Sequence, residues 1–268
     1  MTSAPIETRE RHYTVSITKG AALINEMKTL LRQWSPSEDY RVFLERIQQT
    51  GVLSKETAYR THDLVNRVFR PRLLTPDDRA ARALKLLFEA GVDNSALNEL
   101  LLLYSARADD VLYDFVVRRF WPLARSGAVL MQVDDALSFL DEINRTGQVS
   151  QVWTQATQLR IARGLLAALR DFGLLRQAKR GRREIVLYRL TAVSVAYLAH
   201  ELHFAGLPDA AVAEHADWGL YGLDRAHVLD RLDLLGPRLG LLVQRAGSVV
   251  RITWSQPSME SLIHVLTR

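Results

Sequence analysis

Between Thr154 and Phe172 the chain sets apolar side chains at helical spacing, and Gly173 stops the run. At about 100° per residue, Ile161, Ala168, Leu169 and Phe172 fall within about 60° of Leu165, while Arg160, Arg163 and Arg170 fall about 140–160° away. Small Ala156 and Ala167 share that outer face. Such a helix buries one stripe and offers a cationic one with little bulk around it. Leu174 and Leu175 lead on into Lys179-Arg180-Gly181-Arg182-Arg183, and the β-branched, aromatic run from Ile185 to Leu190 reads as a strand. Upstream, Asp134-Asp135 opens a helix to Asn144 that Gly147 closes, and Ser150 to Trp153 reads as a short helical piece. Helix, short helix, longer helix, basic hairpin is the order of a winged helix-turn-helix, whose third helix enters the major groove and whose wing touches the backbone beside it.

Charge supports that placement. The 268 residues carry a formal +5. From Ser150 to Arg189 there are nine Lys/Arg and two acids, a net of +7, whereas residues 1–149 balance twenty bases against twenty acids and residues 190–268 hold six against eight. One window therefore holds the whole excess, as expected of a nucleic-acid contact. The candidate contacts are Arg160, Arg163, Arg170, Lys179, Arg180, Arg182 and Arg183, with Gln155 and Thr157 as polar groups near the helix start. Arginine bonds guanine edges or phosphates, and lysine neutralises phosphates. A solvated helix face and a solvated turn would look alike taken one at a time; it is their succession that favours DNA. Few amides line the face, so weak sequence preference is expected.

The rest of the chain reads as helices with short loops, hence a mainly α fold. Helices are expected from Thr18 to Gln33, from Ser35-Pro36-Ser37-Glu38 to Gln49, from Ser54 until Pro71, from Thr75-Pro76-Asp77-Asp78 to Gly91, from Asp93 or Asn94, and from Asp109-Asp110 to Pro122. Beyond the strand, helices near 192–205, 208–217 and 224–235 precede a hairpin of Leu241–Arg245 and Val249–Trp254 around Gly247-Ser248. The division expected is an all-helical bundle over 1–125, the winged helix over 126–190, and a helical domain with a terminal hairpin over 191–268. That last part could be a degenerate second winged helix; its negative charge argues for packing or partner docking. No internal repeat is evident.

Function classes drop out by absence of their chemistry. Without cysteine there is no disulfide, thiolate zinc site or iron–sulfur cluster, which fits a reducing compartment. No run reaches the roughly 18 apolar residues of a membrane span, and the N-terminus has no signal-peptide core, so a cytoplasmic location is expected. His200-Glu201-Leu202-His203 is one residue short of the H-E-x-x-H spacing that puts two imidazoles on one zinc; even with His215 downstream, ordinary histidines are expected and no metal. Asp77-Asp78, Asp109-Asp110 and Asp134-Asp135 sit at helix starts, where the helix dipole accounts for them. There is no Gly-rich phosphate loop and no G-x-S-x-G motif, so neither a catalytic residue nor a cofactor is expected.

Several stretches resemble the BrxA family of bacteriophage-exclusion (BREX) systems. They are Tyr13-Thr14-Val15-Ser16-Ile17-Thr18-Lys19-Gly20-Ala21-Ala22-Leu23 with Glu26; Arg60 and Arg67 ahead of Phe69-Arg70-Pro71-Arg72-Leu73; Trp153-Thr154-Gln155-Ala156-Thr157 continuing to Leu165–Leu175; and Ala196-Tyr197-Leu198-Ala199-His200-Glu201-Leu202. The resemblance implies a non-enzymatic DNA-binding component of a phage-defence operon, N-terminal helices similar to the NusB antitermination fold, and a methyltransferase, a phosphatase-like protein and a large ATPase as companions. It carries DNA binding onto Arg160, Arg163, Arg170 and the basic wing, with Arg60, Arg67, Arg70 and Arg72 as a candidate secondary contact. A winged-helix transcriptional regulator and a protein-docking scaffold of a defence complex are the other readings of the same module.

Overall fold

Pro71 and Pro122, expected to end helices, lie inside them. Each follows a π turn, Val65–Phe69 and Val116–Phe120. Proline lacks an N–H and its ring presses on the carbonyl four residues back; the wider i→i+5 turn relieves that clash and the helix goes on. The two places share a pattern, Asp63-Leu64-Val65-x-Arg67-x-Phe69-x-Pro71 and Asp114-Phe115-Val116-x-Arg118-x-Phe120-x-Pro122, with the acid and arginine paired at 3.1 Å and 3.4 Å.

The computed structural model describes residues 11–36, 38–53, 57–146, 149, 151–187, 189–247 and 249–268. The fold is mainly α, with two antiparallel hairpins. Packing groups the chain into two compact units rather than the three consecutive segments expected. Unit 1 joins the residues up to Ala21 to Asp109–Val186, and unit 2 joins Ala22–Ala108 to Leu187–Arg268.

Among the described residues before Ala21, Ser16–Lys19 form a 3-10 turn, separate from helix α1 (Ile24–Gln33); the continuous helix expected from Thr18 is broken there. Unit 2 continues with α2 (Tyr40–Thr50), α3 (Ala58–Leu64), α4 (Arg70–Leu73), α5 (Arg79–Glu89) and α6 (Asn94–Arg107). Asp39, not Ser35, caps α2, accepting from the Arg41 N–H at 2.8 Å. Thr57 caps α3 by accepting from Arg60 N at 3.1 Å; the cap expected at Ser54 lies outside the described residues. Asp93 caps α6 as expected, at 2.7 Å from Ser95 N.

Unit 1 resumes with α7 (Asp110–Phe115), α8 (Trp121–Arg125), α9 (Val133–Arg145), α10 (Gln155–Asp171), β1 (Leu175–Gln177) and β2 (Arg183–Ile185). Unit 2 is completed by α11 (Ala192–Phe204), α12 (Asp209–Glu214), a 3-10 turn (Ala216–Tyr221), α13 (Arg225–Leu239), β3 (Leu242–Ala246), β4 (Val249–Thr253) and α14 (Met259–Leu266). The terminal hairpin pairs as expected, Leu242 with Thr253 through Ala246 with Val249. Helix α14, begun by the Ser258 cap, was not expected.

Two distant stretches form unit 2 because α6 is buried along most of its length, Ala96 to Ala106 apart from Asn98. Its polar groups meet α11. Glu99 accepts from the Thr191 backbone at 3.1 Å and hydroxyl at 2.6 Å; the Tyr104 and Tyr197 hydroxyls lie 2.5 Å apart; Arg107 grips Glu201 at 2.9 and 2.8 Å and Asp217 at 2.7 Å. Among the described residues no helix is long and apolar enough to cross a membrane.

Candidate nucleic-acid interface

Helix α10 begins where local chemistry dictates. Thr154 accepts from the Thr157 N–H at 3.3 Å, and Gly173, at φ +83°, supplies the left-handed residue that ends the helix. The piece before it is not helical: residues 151–153 run without helix and Ser150 is outside the described residues. The reason is a side-chain clip. Asn144 donates to the Trp153 carbonyl at 3.0 Å and accepts its N–H at 3.2 Å, so both backbone groups of Trp153 are used by the end of α9.

The helix buries Gln158, Ile161, Ala162, Leu165, Leu166, Ala168 and Leu169, the stripe expected, and exposes Gln155, Arg160, Arg163 and Arg170. Thr157 is half-buried and shares hydrogen bonds with Thr154. The hairpin that follows is shorter than expected. Leu175 pairs with Ile185 and Gln177 with Arg183, and beyond Ile185 no strand continues through 186, 187, 189 and 190, while Tyr188 is outside the described residues. Residues 129–131 lie along the other side of β2, with Met131 N donating to Arg183 O at 3.0 Å and Ile185 N to Val129 O at 2.9 Å.

Two of the candidate or neighbouring cations are already partnered. Arg170 donates to Asp171, and Arg176 bonds Glu184 across the hairpin at 2.6 Å. Exposed pairs of this kind are worth about 0–1 kcal/mol, yet each cancels a charge locally. Because Asp171 and Glu184 are thus engaged, Arg160, Arg163, Lys179, Arg182 and Arg183 have no acid partner among the described residues. Lys179 and Arg182 are exposed on the turn between the strands and Arg183 is half-exposed on β2; the Arg180 side chain lies outside the described residues. These pairings were readable in the sequence, one from adjacency and one from hairpin register.

The candidate secondary contact belongs to unit 2 and divides. Arg70 is exposed, its guanidinium 4.7 Å over the Tyr40 ring; Arg67 is exposed and pairs with Asp63; Arg60 is half-exposed. Arg72 leaves the set: it is buried, and its Nη1 donates to the Ala22 carbonyl at 2.9 Å, so its charge faces the interior. Two histidines of the His200–His203 stretch are packed into the fold. His200 is buried, its Nδ1 2.8 Å from Ala196 O, and His203 stacks on Trp254 at 4.3 Å. No group of three or more His, Asp or Glu among the described residues could hold a metal ion.

A family model for BrxA matches residues 11–201. The chain belongs to the BrxA family. The BrxA match takes in residues 11–19 and the whole of α7 to β2, and ends inside α11. No curated protein sequence matches the chain significantly. Among solved structures, the crystal structure of an uncharacterized protein from Magnetospirillum magneticum aligns with a TM-score of 0.55 at 17% identity, over 72% of this BrxA-family chain and 94% of that one. At that identity the likeness concerns the fold alone.

Proposed function

We propose that this BrxA-family chain is a non-enzymatic DNA-binding accessory component of a BREX-type phage-defence system, acting in the cytoplasm and contacting duplex DNA through unit 1. The observation that carries the reading is a cationic set, Arg160, Arg163, Lys179, Arg182 and Arg183, on one helix and the hairpin that follows it, left without acid partners among the described residues. The winged-helix reading is supported by the succession α9, α10, β1, β2, two helices and a basic hairpin with residues 129–131 along β2, although the short helix expected at 150–153 is not part of it. On this reading α10 enters the major groove, with Arg160 and Arg163 toward base edges or phosphates and Gln155 offering an amide at the helix start. The turn around Lys179–Arg183 neutralises phosphates beside it. Backbone contacts dominate, so sequence preference is weak. The protein partners are other components of the same defence system.

The test is duplex affinity by fluorescence anisotropy across a salt series. Log K falls against log salt with a slope of about −0.9 per phosphate contacted, and several contacts are expected. Random duplexes compete with genomic ones within about tenfold, against the roughly 10³ or more of dedicated regulators. Absence of binding at low salt would leave the docking-scaffold reading, and selection of a tight consensus from a random library would leave the regulator.

A further inference from the structure

Residues 11–19, the start of the family match, are fastened at several points to the Asp109–Val186 part of unit 1. Arg11 donates to Asp110 at 3.0 Å, pairs with Asp114 at 3.4 Å, and lies 4.3 Å over the Tyr113 ring. The His12 N–H donates to Asp110 at 2.8 Å. The buried Tyr13 phenol donates to Asp114, and Tyr13 pairs with Val149 in a parallel bridge. Burial, then the bond to Asp114, push the phenol above its usual range, so it remains a donor. The Ser16 hydroxyl donates to Asp109 at 2.5 Å. Ile17 is buried against α10: its carbonyl lies 3.4 Å from where a Cβ on Gly164 would stand, which is ordinary van der Waals contact.

These anchor points cover the parts that a duplex-reading module must hold still. Asp109 caps α7, Asp110 begins it and Asp114 lies near its end; Val149 belongs to the connection between α9 and α10, and Gly164 to α10 itself, between the buried stripe and Arg160. A connection left loose would have to be ordered on binding, at a cost in affinity.

We propose that residues 11–19 are a positioning strap for duplex binding: docked on Asp109, Asp110 and Asp114, they hold the α9–α10 connection and α10 in the DNA-reading arrangement. The proposal rests on the duplex-binding reading above. Its consequence is reciprocal by linkage: whatever the docked strap adds to duplex affinity, duplex adds to strap docking.

The test uses the full chain, well below its melting temperature, with two readouts. Asp110→Asn removes the acceptor charge for Arg11. On charge alone, loss of an acid raises affinity for a polyanion; positioning instead lowers it, by about fivefold or more with an unchanged salt slope, since no phosphate contact is lost. Tyr13→Phe, which keeps the ring and removes the donor, acts in the same direction if Asp110→Asn fails to fold. In the parent, added duplex slows tryptic cleavage after Lys19, and does so less in an Arg160→Ala/Arg163→Ala double variant. A parent that binds no duplex overturns the functional reading itself. A parent that binds, with folded strap variants binding as well as it does and cleavage after Lys19 unslowed, overturns the strap alone. A shallower salt slope in Tyr13→Phe also overturns it, because the strap would then be touching phosphate.

Discussion

Arg170 gives both Nε and Nη2 to one oxygen, Oδ1, of its chain neighbour Asp171, at 3.0 and 2.7 Å. With Glu184 holding Arg176 in the same way, the two acids of unit 1's basic region act as local brakes on its charge. Removing a brake frees a cation. Asp171→Asn and Glu184→Gln each raise duplex affinity at low salt, with the slope of log K against log salt steepening by up to about 0.9 per freed contact. Arg170→Ala, by contrast, leaves the Asp171 charge uncompensated and lowers affinity, and the same anisotropy titration distinguishes all three.

The unpartnered cations behave differently from the core beneath them. Lys179→Ala/Arg182→Ala/Arg183→Ala weakens duplex binding steeply and flattens the salt slope, while stability changes by about 0.5 kcal/mol or less per site. Arg160→Ala/Arg163→Ala does the same and erases what sequence preference there is. Leu165→Ala does the reverse: truncating this fully buried side chain costs about 2–5 kcal/mol, and duplex is lost only with the fold. Urea melts alongside binding curves separate the two behaviours.

Two arginines of unit 2 answer to stability alone. Arg72→Ala strands the Ala22 carbonyl and costs about 1–3 kcal/mol. Arg107→Met takes from the buried Asp217 carboxylate and from Glu201 the cation they share, and costs about 3–5 kcal/mol. Both variants, where folded, bind duplex with the parent's affinity and slope.

Acid weakens the fold through His200. Burial holds its imidazole neutral, lowering its pKa from 6.5 to about 4, with the ring edge-on to Trp254 at 4.9 Å. Between those values the unfolded chain binds the proton and the folded chain does not. The contribution is therefore complete above the unfolded value and is lost as pH falls through it toward the folded one, up to about 3 kcal/mol. His203 and His215, also lowered chiefly by burial, act with the same sign. Urea midpoints near about pH 7 and about pH 5 show the loss, and His200→Leu reduces the difference between them.

What could be read in advance was whatever is decided within a turn or two of chain. The Leu165 stripe, the caps at Asp93 and Thr154 and the turn at Gly247 depend on near neighbours, and they stand where expected. The basic face was legible for the same reason, since a helical period assigns sides. Features set by distant groups were not. The stretch before Trp153 is pulled out of helix by Asn144, nine residues away, and the strand after β2 stops at Ile185. Proline read as a terminator because a π turn leaves no mark in composition, although its recurrence at Pro71 and Pro122 was there to be seen. Arg72 looked like its exposed neighbours until the Ala22 carbonyl was placed beside it.

The interleaving of the two units also has a timetable. Unit 1 is chemically complete once Val186 has been added, but the stretch from Ala22 to Ala108 waits for Leu187–Arg268. At about 5–20 residues per second, that wait on the ribosome is roughly 4–16 s. Until Phe204 completes α11, Leu100 to Leu103, buried in the finished protein, lack the α11 side of their cover. A nascent chain at this stage holds a finished unit 1 beside an unfinished unit 2 whose apolar surface is still open.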